Sequence, residues 1–487
     1  MAIILVLLGL FLRLFRLGMR PFDGDEGVIL LQATPKGFHE MLTLVAKDAH
    51  PPLAIFFSWL LNKVVPQSEF YYRLVPVITG TLALVALYFL AKEIFGKKDK
   101  IKSYLVLVLG VISPYLIFYA QEIRMYNFLL LFSVLSSLYT IKLTKKIDLK
   151  SSIFYTLTVL LMIYTVHIGW IIIFCQILFM LISKVNYKRL VLMLVFIILG
   201  YLPIVKMAVN QTVNRLSEGS GVFGLDLMGN IKGISGAFFR FGSGRLMLDL
   251  NPATLKNMLF HELLMFLLFL VLLLVPVILF INGYRTMKDK KIRLLVSIFF
   301  ITSIIIALVY SEMGGRAVRY FVYLFPFYLI VICSVKPTLF NKILIGMFIA
   351  INLVSLYNRY FVEFKAKSIK DIVPILNANY NTNYQKDDIV FFKGHMSSGE
   401  TYVFNYYTRG KFAYYDYWGD YKIGNLKEVA ARKESDIIGT LLQSHPRVWF
   451  YAVGYTLDKP LPFKNVEIYD IGKDGEGVEE MLYKVSN

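Results

Sequence analysis

Apolar residues along this chain arrive in long runs that avoid charge. Runs long enough to cross about 30 Å of hydrocarbon, which takes roughly 20 residues, lie near residues 1–18, 73–91, 103–120, 126–143, 152–168, 169–183, 190–208, 260–283, 294–311, 319–335 and 341–358. The pattern predicts about eleven transmembrane helices, and the shorter apolar stretch 55–65 is expected to lie in the membrane interface. After about residue 360 the pattern changes. DDIVFF (387–392) and RVWFYAV (447–453) read as strands and residues 425–443 as an amphipathic helix, which predicts a small α/β domain. The expected architecture is an α-helical polytopic membrane domain, 1–359, followed by a soluble α/β domain, 360–487.

Composition agrees with that reading. The 487 residues are 57% hydrophobic and 17% charged, against soluble averages of about 45–50% and 25%. The net charge of +19 would suit a nucleic-acid binder, but the basic residues gather in short loops, Lys92–Lys102, Lys142–Lys150, Lys184–Arg189, Arg285–Arg293 and Lys336–Lys342. They are topology signals, and no nucleic-acid partner is expected. With eleven spans these loops share one side, which the positive-inside rule makes the cytoplasm. The N-terminus is then inside, the first span is retained, and the C-terminal domain lies outside the cytoplasmic membrane. Cys175 and Cys333 fall within apolar runs and read as packing residues.

Four segments at the outward ends of spans carry nearly all the candidate chemistry. FDGDEG (22–27) holds Asp25 and Glu26, where a carboxylate at the membrane surface is placed to take a proton from an incoming hydroxyl. DAHPPL (48–53) holds Asp48 and His50 before two prolines that stop a helix. SPYLIFYAQEIRMY (113–126) sets Gln121, Glu122, Arg124 and Tyr126 within two helical turns. GGRAVRYF (314–321) sets Arg316, Arg319 and Tyr320 beside two glycines. Arginine at an outer mouth opposes the positive-inside bias, and its planar fork suits phosphate oxygens. When a phosphate leaves, it needs charge stabilisation more than protonation, so one carboxylate base suffices. For each segment there is a plainer alternative: a solvated loop acid, a helix stop, a surface ion pair, a snorkelling arginine. No tight His/Asp/Glu cluster appears, so no metal or other cofactor is expected.

At these residues the chain resembles the GT-C membrane glycosyltransferases, in particular the dolichyl-phosphate-mannose protein mannosyltransferases and the bacterial lipid A aminoarabinose transferases. RLFRLGMRPFDGDEG resembles the family's first outer loop and HPPL the motif after it. SPYLIFYAQEIRMY and RYFVYLFPFYLI resemble the third-span mouth and a late span. The likeness covers roughly residues 5–360. It implies inverting transfer of a sugar from a polyprenyl-phosphate carrier to a protein, lipid or glycan hydroxyl, with Asp25 as base or acceptor-positioning group. Two other classes compete: a transporter or flippase of lipid-linked sugars, and an assembly subunit with a degenerate site. Transporters place ionisable groups near the bilayer midplane, whereas here they gather at the outer mouths.

Overall fold

The computed structural model describes residues 1–96, 99–217, 227–244, 263–310, 313, 317–361, 369–380, 389–392, 398–409, 413–415, 434–453, 463, 465–473 and 479–486. Two compact units emerge. The first is Met1–Leu17 with Pro35–Arg359, and the second is Gly18–Thr34 with Tyr360–Asn487. The sequence pattern put Gly18–Thr34 with the membrane helices; the fold groups it with the C-terminal unit.

The first unit is all helical. Each apolar run falls on helix, but the pieces differ in length. Among the described residues, five helices are long and apolar enough to cross a membrane: Glu69–Phe95, Tyr126–Lys145, Tyr187–Asn214, Lys290–Val309 and Leu339–Phe361. A sixth crossing forms if Lys100–Ile112 and Pro114–Ala120, bent by 56° at Ser113, count as one span. Pro114 opens the second piece because its missing N–H costs nothing in a first helical turn. Ala2–Leu14, Leu149–Ile163 and Gly169–Ile182 are apolar but shorter, so at about 1.5 Å per residue each falls short of a full hydrocarbon thickness. The run 319–335 is not one helix either. It divides into Ala317–Tyr320, a 3₁₀ turn at Phe321–Tyr323, and Phe325–Cys333.

Burial ranks these helices. Tyr126–Lys145 is the most enclosed of the crossings, while Tyr187–Asn214 turns Val191, Leu192, Val195, Phe196, Leu199 and Leu202 outward. A helix apolar all round with an exposed apolar face requires lipid around it. This is a multi-pass membrane protein. Some hydroxyls inside the bundle are satisfied locally: Ser133 and Thr140 donate to carbonyls one turn back, and the Gln176 amide donates to the Ser136 hydroxyl at 2.8 Å and Ser137 at 3.2 Å. Cys175 and Cys333 are buried free thiols.

In the second unit a five-stranded sheet runs in the order β2-β1-β3-β5-β4, with β1 Ile389–Phe392, β2 Ala413–Tyr415, β3 Arg447–Val453, β4 Asn465–Lys473 and β5 Glu479–Ser486. The β2, β1 and β3 strands are parallel, and β5 adds antiparallel to β3. Period-two alternation splits β3 between two cores. Trp449 and Tyr451 join Ile372, Leu376 and Phe404, while Val448 and Phe450 join Ile438, Leu441 and Leu442. The sheet is therefore covered on both faces. The expected helix 425–443 is seen from Glu434 to Ser444, and its first residues lie outside those described.

Candidate functional site

The acidic loop in the second unit is a built helix start. Asp23 caps the helix Gly24–Ala33: its Oδ1 accepts the Glu26 amide at 2.8 Å, and Glu26 Oε2 accepts the Asp23 amide at 3.3 Å. This reciprocal box satisfies two donors that a helix start otherwise leaves open. Arg20 closes it from the side, 3.2 Å from Glu26 and 3.5 Å from Asp23. Glu26 is fully buried, so its carboxylate is taken up by structure. Burial, and then the Glu26 charge beside it, hold the Asp23 carboxyl above its usual range against the pull of Arg20. Asp25 is the second helical residue and half-buried, with its charge at the positive end of the helix dipole. Ahead of the cap, the Phe22 amide donates to the Tyr407 hydroxyl at 2.7 Å, and the Phe22 ring packs edge-on against Tyr406 with centroids 5.3 Å apart.

Two further constellations lie in the membrane unit. The first joins the 113–126 and 317–320 segments. The Tyr115 and Tyr119 hydroxyls both donate to the Val318 carbonyl, at 2.6 and 3.1 Å, and the Tyr126 and Tyr320 rings meet edge to face. The charges of Glu122, Arg319 and Arg240 act on the Tyr119 hydroxyl, and those of Arg124, Arg319 and Glu122 on Tyr126. Glu122 is buried, Arg124 and Arg319 half-buried. Tyr126 is 1% exposed, and its hydroxyl has no hydrogen-bond partner among the described residues. A buried hydroxyl so placed beside guanidiniums is ready to donate to an anion. Gln121 serves structure instead: its amide donates to the Arg13 and Phe15 carbonyls at 3.0 Å, and its oxygen accepts from Arg359. Arg316 lies outside the described residues.

Arg240, Tyr115 and Tyr119 were not singled out in the sequence. The tyrosines stand in the quoted 113–126 segment, at i and i+4 on one helix face. Arg240 sits alone in an aromatic stretch, AFFRFG, of a connection that no apolar run marks. One helix, Leu227–Ser243, carries it. The same helix lends Ser235, Phe238 and Phe239 to a cavity of about 570 Å³, otherwise walled by Leu272, Pro276, Phe280, Phe300, Tyr328 and apolar neighbours.

The second constellation fixes DAHPPL. The Gln211 amide donates to both the Val45 and His50 carbonyls at 2.9 Å, and its oxygen lies 3.0 Å from His167 Nε2. The Leu53 amide bonds the Tyr164 carbonyl, so the helix Leu53–Asn62 starts at the second proline. His50 is buried and Asp48 half-buried on this corner. Among the described residues, no group of three or more His, Cys, Asp or Glu is arranged to hold a metal ion.

Against solved structures, the chain aligns with ArnT from Cupriavidus metallidurans bound to undecaprenyl phosphate, with a TM-score of 0.56 at 12% identity, over 99% of this chain and 97% of that one. Its fold is that of the GT-C membrane glycosyltransferases. The apo form of the same ArnT gives a TM-score of 0.57 at 10% identity over the same shares of each chain. A second GT-C match is the archaeal oligosaccharyltransferase AglB from Archaeoglobus fulgidus, in complex with an inhibitory peptide and a dolichol-phosphate. It has a TM-score of 0.51 at 13% identity, covering 92% of this chain and 69% of that one. Residues 49–208 match the family described as dolichyl-phosphate-mannose-protein mannosyltransferase. That segment includes His50 and the two prolines after it, and the whole 113–126 stretch; Asp48 lies just ahead of it. No curated protein sequence matches the chain.

Proposed function

We propose that this chain is a glycosyltransferase that moves a sugar from a polyprenyl-phosphate carrier to a hydroxyl on a protein, lipid or glycan, at the outer face of the cytoplasmic membrane. The observation that carries the reading is the buried Tyr126 hydroxyl, which has no hydrogen-bond partner among the described residues and feels the charges of Arg124 and Arg319. A site of that chemistry at the end of a span suits a lipid-linked phosphate. Arg240 supplies a third guanidinium, and its helix also walls an apolar cavity of about 570 Å³ suited to isoprenoid chain.

In this reading Asp25 takes the proton of the acceptor hydroxyl as its oxygen attacks the anomeric carbon. The bond from that carbon to the phosphate oxygen breaks, and its electron pair leaves with the phosphate. Guanidinium and hydroxyl donors suit the charge that develops there, and within the membrane unit Arg319 and Tyr126 are of that kind. A single displacement inverts the anomeric centre. Neither a nucleotide sugar nor a metal takes part. The gathering of charge at the ends of spans favours an enzyme over a flippase, and the basic loops, by the positive-inside rule, support a C-terminal unit on the outer side.

The test is purified protein in lipid incubated with a panel of polyprenyl-phosphate sugars and a hydroxyl acceptor. Consumption of one donor with release of polyprenyl phosphate supports the reading. Transbilayer movement of the intact donor without bond cleavage contradicts it.

A further inference from the structure

The part of the second unit that follows Tyr360 supplies no residue to the reaction just described, yet its clearest feature is a grip on the acidic loop. The helix Gly24–Ala33 packs along Ser398–Thr408, which in turn packs on Ile369–Tyr380. Phe22, the residue before the cap, is held twice, by its amide on the Tyr407 hydroxyl and by its ring against Tyr406 and Tyr407. The Tyr407 ring is itself held, with the Lys370 ammonium 5.3 Å from its centroid.

These contacts fix a direction. A residue ahead of the cap sets the angle at which the chain enters a helix, and the box between Asp23 and Glu26 then locks the first turn. With Phe22 held and the first turn boxed, the backbone of Asp25 is set by the helix Gly24–Ala33. A surface loop without such a grip must lose that freedom each time it reacts.

We propose that the α/β unit is the platform that sets the acidic loop, with Tyr407 as the positioning residue for Asp25. This rests on the reading of Asp25 as base. Tyr407 touches no reacting atom, and its effect runs through the Phe22 amide.

The test uses the full chain in lipid nanodiscs with Tyr407→Phe, which keeps the ring and its Lys370 contact and removes only the hydroxyl. Hydrogen exchange over residues 20–33 is expected to speed up about tenfold, with β3 and β5 unchanged. Alongside it kcat falls about tenfold and the donor KM stays within about twofold. Unchanged exchange and kcat, in a protein whose Asp25→Asn form is inactive, would overturn the platform. So would faster exchange spread evenly through β3 and β5, which marks general loosening of the unit. Transfer surviving in Asp25→Asn overturns the base reading instead, and the exchange rates then decide whether the platform stands.

Discussion

The amide of Phe22 donates to the hydroxyl of Tyr407 across 385 positions of sequence, at 2.7 Å. That bond ties the segment with the most suggestive acids to the part of the chain that carries no catalytic motif. It also separates the three acids of the loop by role. Asp23 caps, Glu26 completes the cap and pairs with Arg20, and Asp25 stands between them as the second residue of the helix.

Glu26 is expected to matter for folding. Its carboxylate is wholly buried and 3.2 Å from Arg20, so Glu26→Gln keeps an acceptor for the Asp23 amide but removes that buried ion pair. We expect a loss of about 2 kcal/mol in stability, read by thermal unfolding in detergent, with kcat of the remaining folded protein within a few fold of the parent. A kcat loss as deep as that of an Asp25 variant, with unchanged stability, would return Glu26 to the chemistry.

Asp23 gives a pH signature. Burial and the Glu26 charge raise its carboxyl in the folded loop, so the folded chain binds that proton more tightly than the unfolded one. Its contribution to stability is therefore greatest below the unfolded value, declines as pH rises towards the folded value, and is flat above it. Asp23→Asn keeps the cap and is expected to flatten this decline in a series of melts from pH 3 to 7. Asp23→Ala loses the cap and is expected to cost about 1 kcal/mol at all pH values.

Tyr126→Phe separates binding from packing. Removing a buried hydroxyl that bonds no described residue should leave the melting temperature equal or slightly raised. If the hydroxyl serves a phosphate, the donor KM should rise about tenfold all the same. A lowered melting temperature with unchanged KM would make Tyr126 a structural residue.

Gln211 is expected to be the keystone of the DAHPPL corner. Gln211→Leu leaves the Val45 and His50 carbonyls without their shared donor in a buried setting. The expected cost is about 2–3 kcal/mol in thermal unfolding, together with faster proteolysis near residues 46–52.

Much of this protein is legible in its sequence because hydrophobic length is a local signal. The apolar runs fall on helices, and DDIVFF and RVWFYAV fall on β1 and β3. The break at Ser113 was hidden inside an apolar run, although Pro114 marks it. The capping box is also present as D-x-x-E from Asp23 to Glu26, a spacing overshadowed by the adjacent acids Asp25 and Glu26. Two facts had no local signal. Arg240 stands in a connection without a span pattern, and the grip of Tyr407 on Phe22 joins residues far apart in the chain, which no periodicity encodes.

The most direct measurement is a single-turnover assay of donor cleavage by Asp25→Asn beside the parent protein, with donor binding followed in the same samples. We expect binding within about twofold of the parent and release of polyprenyl phosphate reduced by at least about a thousandfold. Release at the parental rate would contradict the assignment of Asp25 as the base.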